Sequence, residues 1–383
     1  MTGEPRQRVF PSLTRGHYFN HAAVAPWPAC TAEAVKRFAV ENARQGPVDY
    51  ARWIATENRL REQLAQLLGA DSTQDIALLK NTTECISTVA FGIDWKAGEN
   101  VVLPLGEFPS NRLPWLAQAA RGVEIREVDI RSAGHAESSL LAAMDSGTRL
   151  LAVSSVQWSD GFRLDLPTLG EACRERGILF FVDAIQQLGA LRLDATACHA
   201  SFIAADAHKW LLGPEGIAVF YSSPEARQQV RLQQLGWHMF DRPWDFGRKD
   251  WTPADSARRF EAGSPNSLGQ AALHASLDLL LGTGMDEVER RILDNTRTLV
   301  SGLEQISGVR LASRSEPERQ SGIVSFIPPT QSARQVQLEL ERQNIVCAVR
   351  ESAVRLSPHY YQGKEEIESV LSAIRQIVTS CAC

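Results

Sequence analysis

Apolar positions along the chain fall into two alternating rhythms. Residues 57–69 place Leu60, Leu64, Leu67 and Leu68 on one face at helical spacing, and Gly69 stops the run. Apolar runs of strand length follow at Ile76 to Leu79, Val101 to Leu103, Leu150 to Val153, Ile178 to Val182, Phe202 to Ala204 and Ile217 to Phe220. Helical patterns separate several of them, for example Leu166 to Arg176, and Asn81-Thr82-Thr83-Glu84 reads as a helix start. Strands without a polar face, alternating with helices, predict βαβ units and a mostly parallel sheet covered on both sides.

The rhythm breaks between about 222 and 265, where Trp237, Trp244, Trp251, Pro243 and Pro253 stand among many charges. This stretch predicts a long irregular excursion, functional or interfacial. Beyond it, residues 266–306 read as helix and 322–327 as a strand. A helix near 333–343, strands near 345–349 and 353–357 and a helix near 364–379 complete a second α/β unit. The expected organisation is a large domain over 16–265 and a small C-terminal domain over 266–383, with residues 1–15 packing on the latter.

Composition narrows the class. The 383 residues are 44% hydrophobic and 22% charged, which suits a soluble globular chain with a large core. Forty basic against 45 acidic residues give a net charge of −5, which speaks against a nucleic-acid or anionic-membrane surface. No apolar run approaches the roughly 20 residues of a membrane helix. The first residues lack the apolar core of a signal peptide, so the expected location is cytoplasmic. The seven cysteines are odd in number and irregularly spaced, so no disulfide framework is expected, and Cys381-Ala-Cys383 is too short for a zinc site. No metal is expected.

Four places carry candidate chemistry. Lys209 follows a strand and precedes a Gly213-Pro214-Glu215-Gly216 turn, at the strand end where open α/β sheets place ligands. Its amine there could form a Schiff base with a carbonyl cofactor; a lone lysine is more often a solvated surface group. Asp183 ends the most apolar strand, where a buried acid must meet a cation or several donors, such as the protonated nitrogen of a pyridine ring. Gln186 could donate to a phenolate oxygen on the same ring. A helix cap is the plain alternative for Asp183. Thr82 and Thr83 at a helix start make an anion site or an ordinary capping box. Arg355, in a short β-like run, can present a planar fork to a carboxylate or make a surface ion pair.

Together, and in this order, Thr82-Thr83-Glu84, Asp183 with Gln186, His208 with Lys209, Glu261-Ala262-Gly263-Ser264-Pro265-Asn266 and Arg355 resemble the class V aminotransferase-fold enzymes. These are pyridoxal-phosphate enzymes of fold type I. They include cysteine desulfurases, selenocysteine lyases, cysteine C–S lyases and isopenicillin N epimerase-like proteins. The match runs from about Tyr18 to about Ile377.

The resemblance implies a large domain with a mostly parallel, seven-stranded-type sheet between helices, and a small C-terminal α/β domain. It implies a homodimer acting on an amino acid, with pyridoxal 5'-phosphate as cofactor. Lys209 would hold the cofactor as a Schiff base and then move the Cα proton. Asp183 would pair with the pyridine nitrogen and Gln186 with the phenolate oxygen. Thr82, Thr83 and His208 would hold the phosphate, and Ser264 would reach the phosphate of the neighbouring subunit. Asp206 stands where the family has a small polar residue, so its carboxylate is expected to point elsewhere or pair with a cation. Phe108 matches the ring that stacks on the cofactor, and Trp158 falls near the phenolate. Arg355 would grip the substrate carboxylate, with Asn20 and His21 lining the substrate side.

Many desulfurases carry His at the position of Phe108 and a nucleophilic loop cysteine before the carboxylate-binding Arg. Here Cys347 lies inside an apolar strand pattern, so a persulfide-forming reaction is disfavoured. The expected order is C–S β-lyase, then aminotransferase, then epimerase. A catalytically silent binding module is the non-enzyme alternative, and no Gly-x-Gly-x-x-Gly supports a dehydrogenase.

Overall fold

The computed structural model describes residues 6–131, 135–247 and 249–379; Cys381 and Cys383 lie outside them. Seven strands build the central sheet: β1 (Ile76–Leu79), β2 (Asn100–Pro104), β3 (Glu124–Val128), β4 (Thr148–Ser154), β5 (Leu179–Asp183), β6 (Phe202–Asp206) and β7 (Ala218–Ser222). Their order is β1-β7-β6-β5-β4-β2-β3. Only β7 runs against its neighbours, so the sheet is mostly parallel.

Six of these strands coincide with the apolar runs within a residue or two. The strand that no apolar run announces is β3. It sits at the sheet edge, is half-exposed or exposed throughout, and three of its five side chains are charged. Glu124 and Glu127 are paired there with Arg126 and Arg112. An edge strand buries less surface, and charges on it discourage pairing with another chain.

Side-chain alternation along the strands decides where the chemistry falls. Leu179 and Phe181 of β5, and Phe202 and Ala204 of β6, pack into one core with Cys85, Ile86 and Val89 of helix α1 (Thr82–Gly92). Phe180, Val182, Ile203 and Ala205 point into the core on the other face. With a period of two, Asp183 and Asp206 continue the first set and emerge on the α1 side of the sheet.

A smaller antiparallel sheet combines β8 (Arg310–Leu311), β9 (Val324–Ile327), β10 (Ala348–Arg350) and β11 (Ala353–Leu356) in the order β10-β11-β9-β8. It shares a core with Phe19, with the helices Ala333–Arg342 and Lys364–Thr379, and with Leu299, Val300 and Leu303 of the helix Met285–Glu304. The N-terminal segment joins this part: His17–Tyr18 pairs in parallel with Ile345–Val346. Val288 and Ile292, earlier on the helix Met285–Glu304, pack in the central core instead. The helix Met285–Glu304 therefore contributes to both cores, Val288 and Ile292 to the first and Leu299, Val300 and Leu303 to the second.

The excursion after β7 is irregular apart from short helical turns. Its far end is tied down by buried charges. Arg61 grips both oxygens of Glu261 at 2.7 and 2.8 Å and donates to Glu57 at 2.6 Å. Glu261 also accepts from Leu78 N–H of β1 at 2.7 Å. Among the described residues, Glu57, His238 and Glu261 form a group with metal-ligand spacing, but the Arg61 guanidinium already supplies the cation between the two carboxylates.

Close backbone approach fixes the helix Leu166–Arg176 beneath the sheet. A Cβ on Gly170 would lie 1.7 Å from the carbonyl oxygen of Cys198 and 3.3 Å from the Phe180 ring. Gly170→Ala is therefore expected to lower unfolding free energy by about 1–3 kcal/mol, the usual range for overpacking. Urea denaturation checks this, and an unchanged midpoint would show that the helix can move aside freely.

Candidate active site

Asp183, Asp206, Lys209, Thr82 and Arg355 are all buried and converge at the carboxyl ends of β5 and β6. Asp183 accepts one bond from Ile185 N–H at 3.0 Å, and among the described residues no basic side chain lies within ion-pair distance of it. Burial pushes its carboxyl up to about 6. Burial pushes the Lys209 amine down to about 8; Arg355 and Arg350 act in the same direction and Asp183 opposes them. A neutral amine is thus within reach near physiological pH, the form a carbonyl needs for attack and a base needs for taking a proton. The amine stands 5.8 Å from the centre of the Phe108 ring.

The loop that presents Lys209 is held on both sides. Gly189 adopts φ +92°, and a Cβ there would lie 2.5 Å from the Trp210 carbonyl oxygen. The Trp210 indole N–H donates to Gln186 Oε1 at 3.0 Å, and Gln186 Nε2 donates to Ala22 O at 3.0 Å. One Gln186 N–H is left over. Ala25 N–H donates to His208 O at 2.7 Å, so the N-terminal segment clamps the lysine loop.

Thr82 and Thr83 open helix α1. Asn81 caps it, accepting Glu84 N–H at 2.8 Å. The first two helical N–H groups are left without intrahelical partners, as at any helix start. Thr82 Oγ1 accepts Asp206 N–H at 3.0 Å, which brings the helix start against the end of β6. Thr83 Oγ1 donates to Ser110 at 2.8 Å. The Asp206 carboxylate faces His208, Nδ1 to Oδ1 2.9 Å. The angle is poor for a hydrogen bond.

Arg355 is almost fully buried, and burial, with Arg350 nearby, lowers its guanidinium to about 9. Nη1 donates to Trp158 O at 2.6 Å. Nε and Nη2 are buried without a hydrogen-bond partner. A buried fork with two idle donors is unfavourable unless a ligand completes it, and a carboxylate has the matching geometry. Asn20 likewise keeps a buried, unpartnered Oδ1.

His21 is hydrogen-bonded at both ring nitrogens. Its Nδ1 is 2.8 Å from Ser357 O and its Nε2 2.5 Å from the Tyr361 hydroxyl. A carbonyl can only accept, so Nδ1 carries the proton and Nε2 accepts from the tyrosine. Burial holds the ring neutral. Both nitrogens are engaged in packing the N-terminal segment and neither is free for a substrate. Ser264 is exposed, and no described hydrogen bond joins it to the other site residues. Trp158 donates to Gly106 O at 3.0 Å and meets Phe108 edge-on at 5.6 Å.

Glu107 is a site residue that sequence reading missed. Its carboxylate is buried, accepts Ser154 N–H at 2.6 Å and Gln157 Nε2 at 3.3 Å, and takes the Ser154 hydroxyl proton donor as well. Ser154 is the register partner of Asp183. Burial pushes Glu107 up to about 7, and the charge of Asp183 adds to this. It binds together the segment carrying Phe108, the end of β4, and the segment carrying Trp158. An acid at the end of the apolar β2 run, next to Phe108, was the available signal.

The donor set fits pyridoxal phosphate: a buried carboxylate for a ring cation, a buried amine for an aldehyde, a helix start for a phosphate and a guanidinium fork for the substrate. Sheet order, small domain and site together define a fold type I enzyme of the pyridoxal-phosphate class. The family profile for aminotransferase class-V matches residues 17–370. The chain belongs to that family. It is 29% identical, over 98% of both chains, to a "Probable cysteine desulfurase" of Methanothermobacter thermautotrophicus. It is 30% identical, over 93% of both chains, to the isopenicillin N epimerase of Streptomyces clavuligerus. Two solved structures of the protein C-DES are similar throughout. One is a lysine-to-alanine variant with glycine covalently linked to its pyridoxal phosphate (TM-score 0.90, 25% identity, 97% of this chain and 99% of that one). The other is this cystine C–S lyase with its product cysteine persulfide (TM-score 0.88, 27% identity, 96% and 99%).

The buried Glu107 yields a pH prediction. Its folded pKa lies above that of an unfolded glutamate, so it contributes stability at low pH that is lost as pH rises from about 4.5 through 7. Glu107→Gln removes that loss. In cofactor-free protein the variant should gain stability relative to the parent between pH 5 and 8, by up to about 3 kcal/mol. Thermal melts across that range measure it, and a pH-independent difference would contradict a buried, titrating Glu107.

Proposed function

We propose that this chain uses pyridoxal phosphate to cleave a C–S bond of a cysteine-type α-amino acid by β-elimination. The observation that carries the reading is the pairing of a buried, easily neutralised Lys209 with a buried Arg355 whose Nε and Nη2 have no partner.

Bound at Lys209, the cofactor supplies an electron sink for the charge that develops at Cα. Asp183 keeps the ring nitrogen protonated, and its own burial is relieved by that cation. Thr82, Thr83 and His208 hold the phosphate at the start of α1, where the helix dipole favours an anion. The spare N–H of Gln186 serves the phenolate oxygen, Phe108 covers the ring, and Trp158 closes the side next to it. Arg355 fixes the substrate carboxylate, Asn20 Oδ1 lies on the substrate side, and His21 positions that segment. The Lys209 amine takes the Cα proton, the Cβ–S bond breaks, and the sulfur leaves with its own fragment.

Cys347 supports release of sulfur over its capture. It is buried, and burial pushes its thiol up to about 12, far from the thiolate a nucleophile needs. The similarity to a cystine C–S lyase favours the same choice. Exposed Ser264 fits a homodimer in which it reaches the neighbouring subunit's phosphate. The free cysteines of the described residues fit a reducing, cytoplasmic setting. Among the described residues no helix is long and apolar enough to cross a membrane.

The isopenicillin N epimerase likeness favours a second reading, epimerisation at Cα, and the family description a third, amino-group transfer. One experiment separates them: the visible spectrum and products of the purified holoenzyme with L-cysteine, L-cystine and a panel of other amino acids. Elimination predicts a transient change, return to the starting spectrum, and release of keto acid with ammonia. A species that stays bleached until a keto acid is added would make it an aminotransferase, and loss of optical activity without product an epimerase. Lys209→Ala should abolish turnover, and a colourless, inert parent protein would overturn the whole reading.

A further inference from the structure

Asp206 is a buried site acid to which the proposed reaction gives no task. The family has a small polar residue at its position, so the charge is a departure of this chain. Asp206 ends β6, and its N–H donates to Thr82 Oγ1 at 3.0 Å. Its backbone is thereby fixed against the start of α1, where the phosphate is assigned. The loop beyond is equally constrained. Ala207 N–H donates to Ile217 O at 3.0 Å, Ala207 O accepts Gly213 N–H at 2.9 Å, and His208 O accepts Ala25 N–H at 2.7 Å. A bare carboxylate held beside a phosphate would repel it and weaken its binding.

His208 offers the compensating charge. Its Nδ1 stands 2.9 Å from Asp206 Oδ1, and both atoms are buried without a hydrogen bond. The ring itself is only half-buried, and among the described residues Nε2 has no hydrogen-bond partner and is not sealed off. A neutral imidazole has one N–H. With that proton on Nδ1 toward the carboxylate, Nε2 would turn a lone pair to a phosphate oxygen. Two anions, one at each nitrogen, are both served only by the imidazolium, which donates from both.

We propose that Asp206 is a positioning residue: it holds His208 as an imidazolium, with Nδ1 turned to its own carboxylate and Nε2 presented to the cofactor phosphate. This rests on the pyridoxal-phosphate reading above, which gives the phosphate to His208 and nothing to Asp206. The surrounding groups favour the pairing. The charge of Asp206 is felt at Asp183, Lys209 and Cys85, with Glu84 beside Cys85 on α1 and with Arg355 and Arg350 acting on Lys209 from the small sheet. Unpaired, that charge opposes ionisation of Asp183 and loss of the Lys209 proton. Answered by His208, it leaves both groups freer to reach the forms that the ring cation and the aldehyde need.

The test uses the full-length protein freed of cofactor, with pyridoxine 5'-phosphate and pyridoxine as probes. Neither carries the aldehyde, so no bond to Lys209 forms. The measured quantity is the ratio of their dissociation constants by calorimetry, which isolates the phosphate and cancels effects on folding or on the ring site. At pH 7.5 His208→Gln should cut the phosphate's advantage by on the order of tenfold or more, because it leaves Asp206 bare. In an Asp206→Asn background the same change should cost only about threefold, the worth of a neutral hydrogen bond. Above about pH 7 the phosphate is largely dianionic, so a fall in its advantage toward pH 9.5 follows the ring. Asp206→Asn should move the midpoint of that fall to lower pH, since a carboxylate favours the charged imidazole. Equal losses from His208→Gln in both backgrounds, or a midpoint that Asp206→Asn leaves in place, would overturn the inference. Nitrogen-15 NMR of the parent holoenzyme requires no Asp206 variant to fold. Both ring nitrogens of His208 should carry protons at pH 7.5, and a neutral ring would overturn the inference as well. If neither pyridoxine 5'-phosphate nor pyridoxal phosphate binds, the pyridoxal-phosphate reading itself fails.

Discussion

Burial of unlike charges that are not joined to one another is the constraint on which the site depends. Asp183, Lys209 and Arg355 are each at least nine-tenths withdrawn from water, and among the described residues no contact ion pair joins them. Removing a charge from water without a partner is costly. The arrangement is bearable because the surroundings are over-determined: β5 and β6 are buried along their whole length, and the N-terminal segment and the small sheet close over the end. Burial shifts all three groups toward their neutral forms. A ligand with a ring cation, an aldehyde and a substrate carboxylate relieves all three at once.

The same strands explain why the groups meet. Asp183 and Asp206 stand at the last residues of adjacent parallel strands and share a face with α1. Parallel strands deliver their carboxyl ends to one edge, and the loops that follow inherit that edge. Lys209 sits three residues past β6 and Gln186 three residues past β5. The small sheet brings Arg355 from far along the chain, and Nη1 is anchored on Trp158 O, which Glu107 and Gly106 hold in place through the neighbouring residues.

Much of this was legible in the sequence, for a physical reason. Fully buried parallel strands are continuous apolar runs, so β1, β2 and β4 to β7 announce themselves. A polar residue that ends such a run, as Asp183 does, needs a partner and draws attention. The edge strand β3 was silent because three of its five side chains are charged and all five are at least partly exposed. Glu107 lay in view beside Phe108, but its importance comes from bonds to Ser154 and Gln157, about 50 residues away. The packing role of His21 depends on Ser357 and Tyr361 at the other end of the chain, and no local pattern encodes such a contact. The helix Met285–Glu304 serves two cores with one continuous apolar face, and no local pattern marks that division of labour.

In the proposed reaction the buried amine of Lys209 is the group to which the cofactor is joined. Borohydride reduction of the holoenzyme, followed by proteolysis and mass spectrometry, tests it directly. Attachment at this amine predicts a reduced pyridoxyl adduct on the peptide containing Lys209 and on no other lysine. An adduct located elsewhere, or none in a protein that retains its colour, would contradict it.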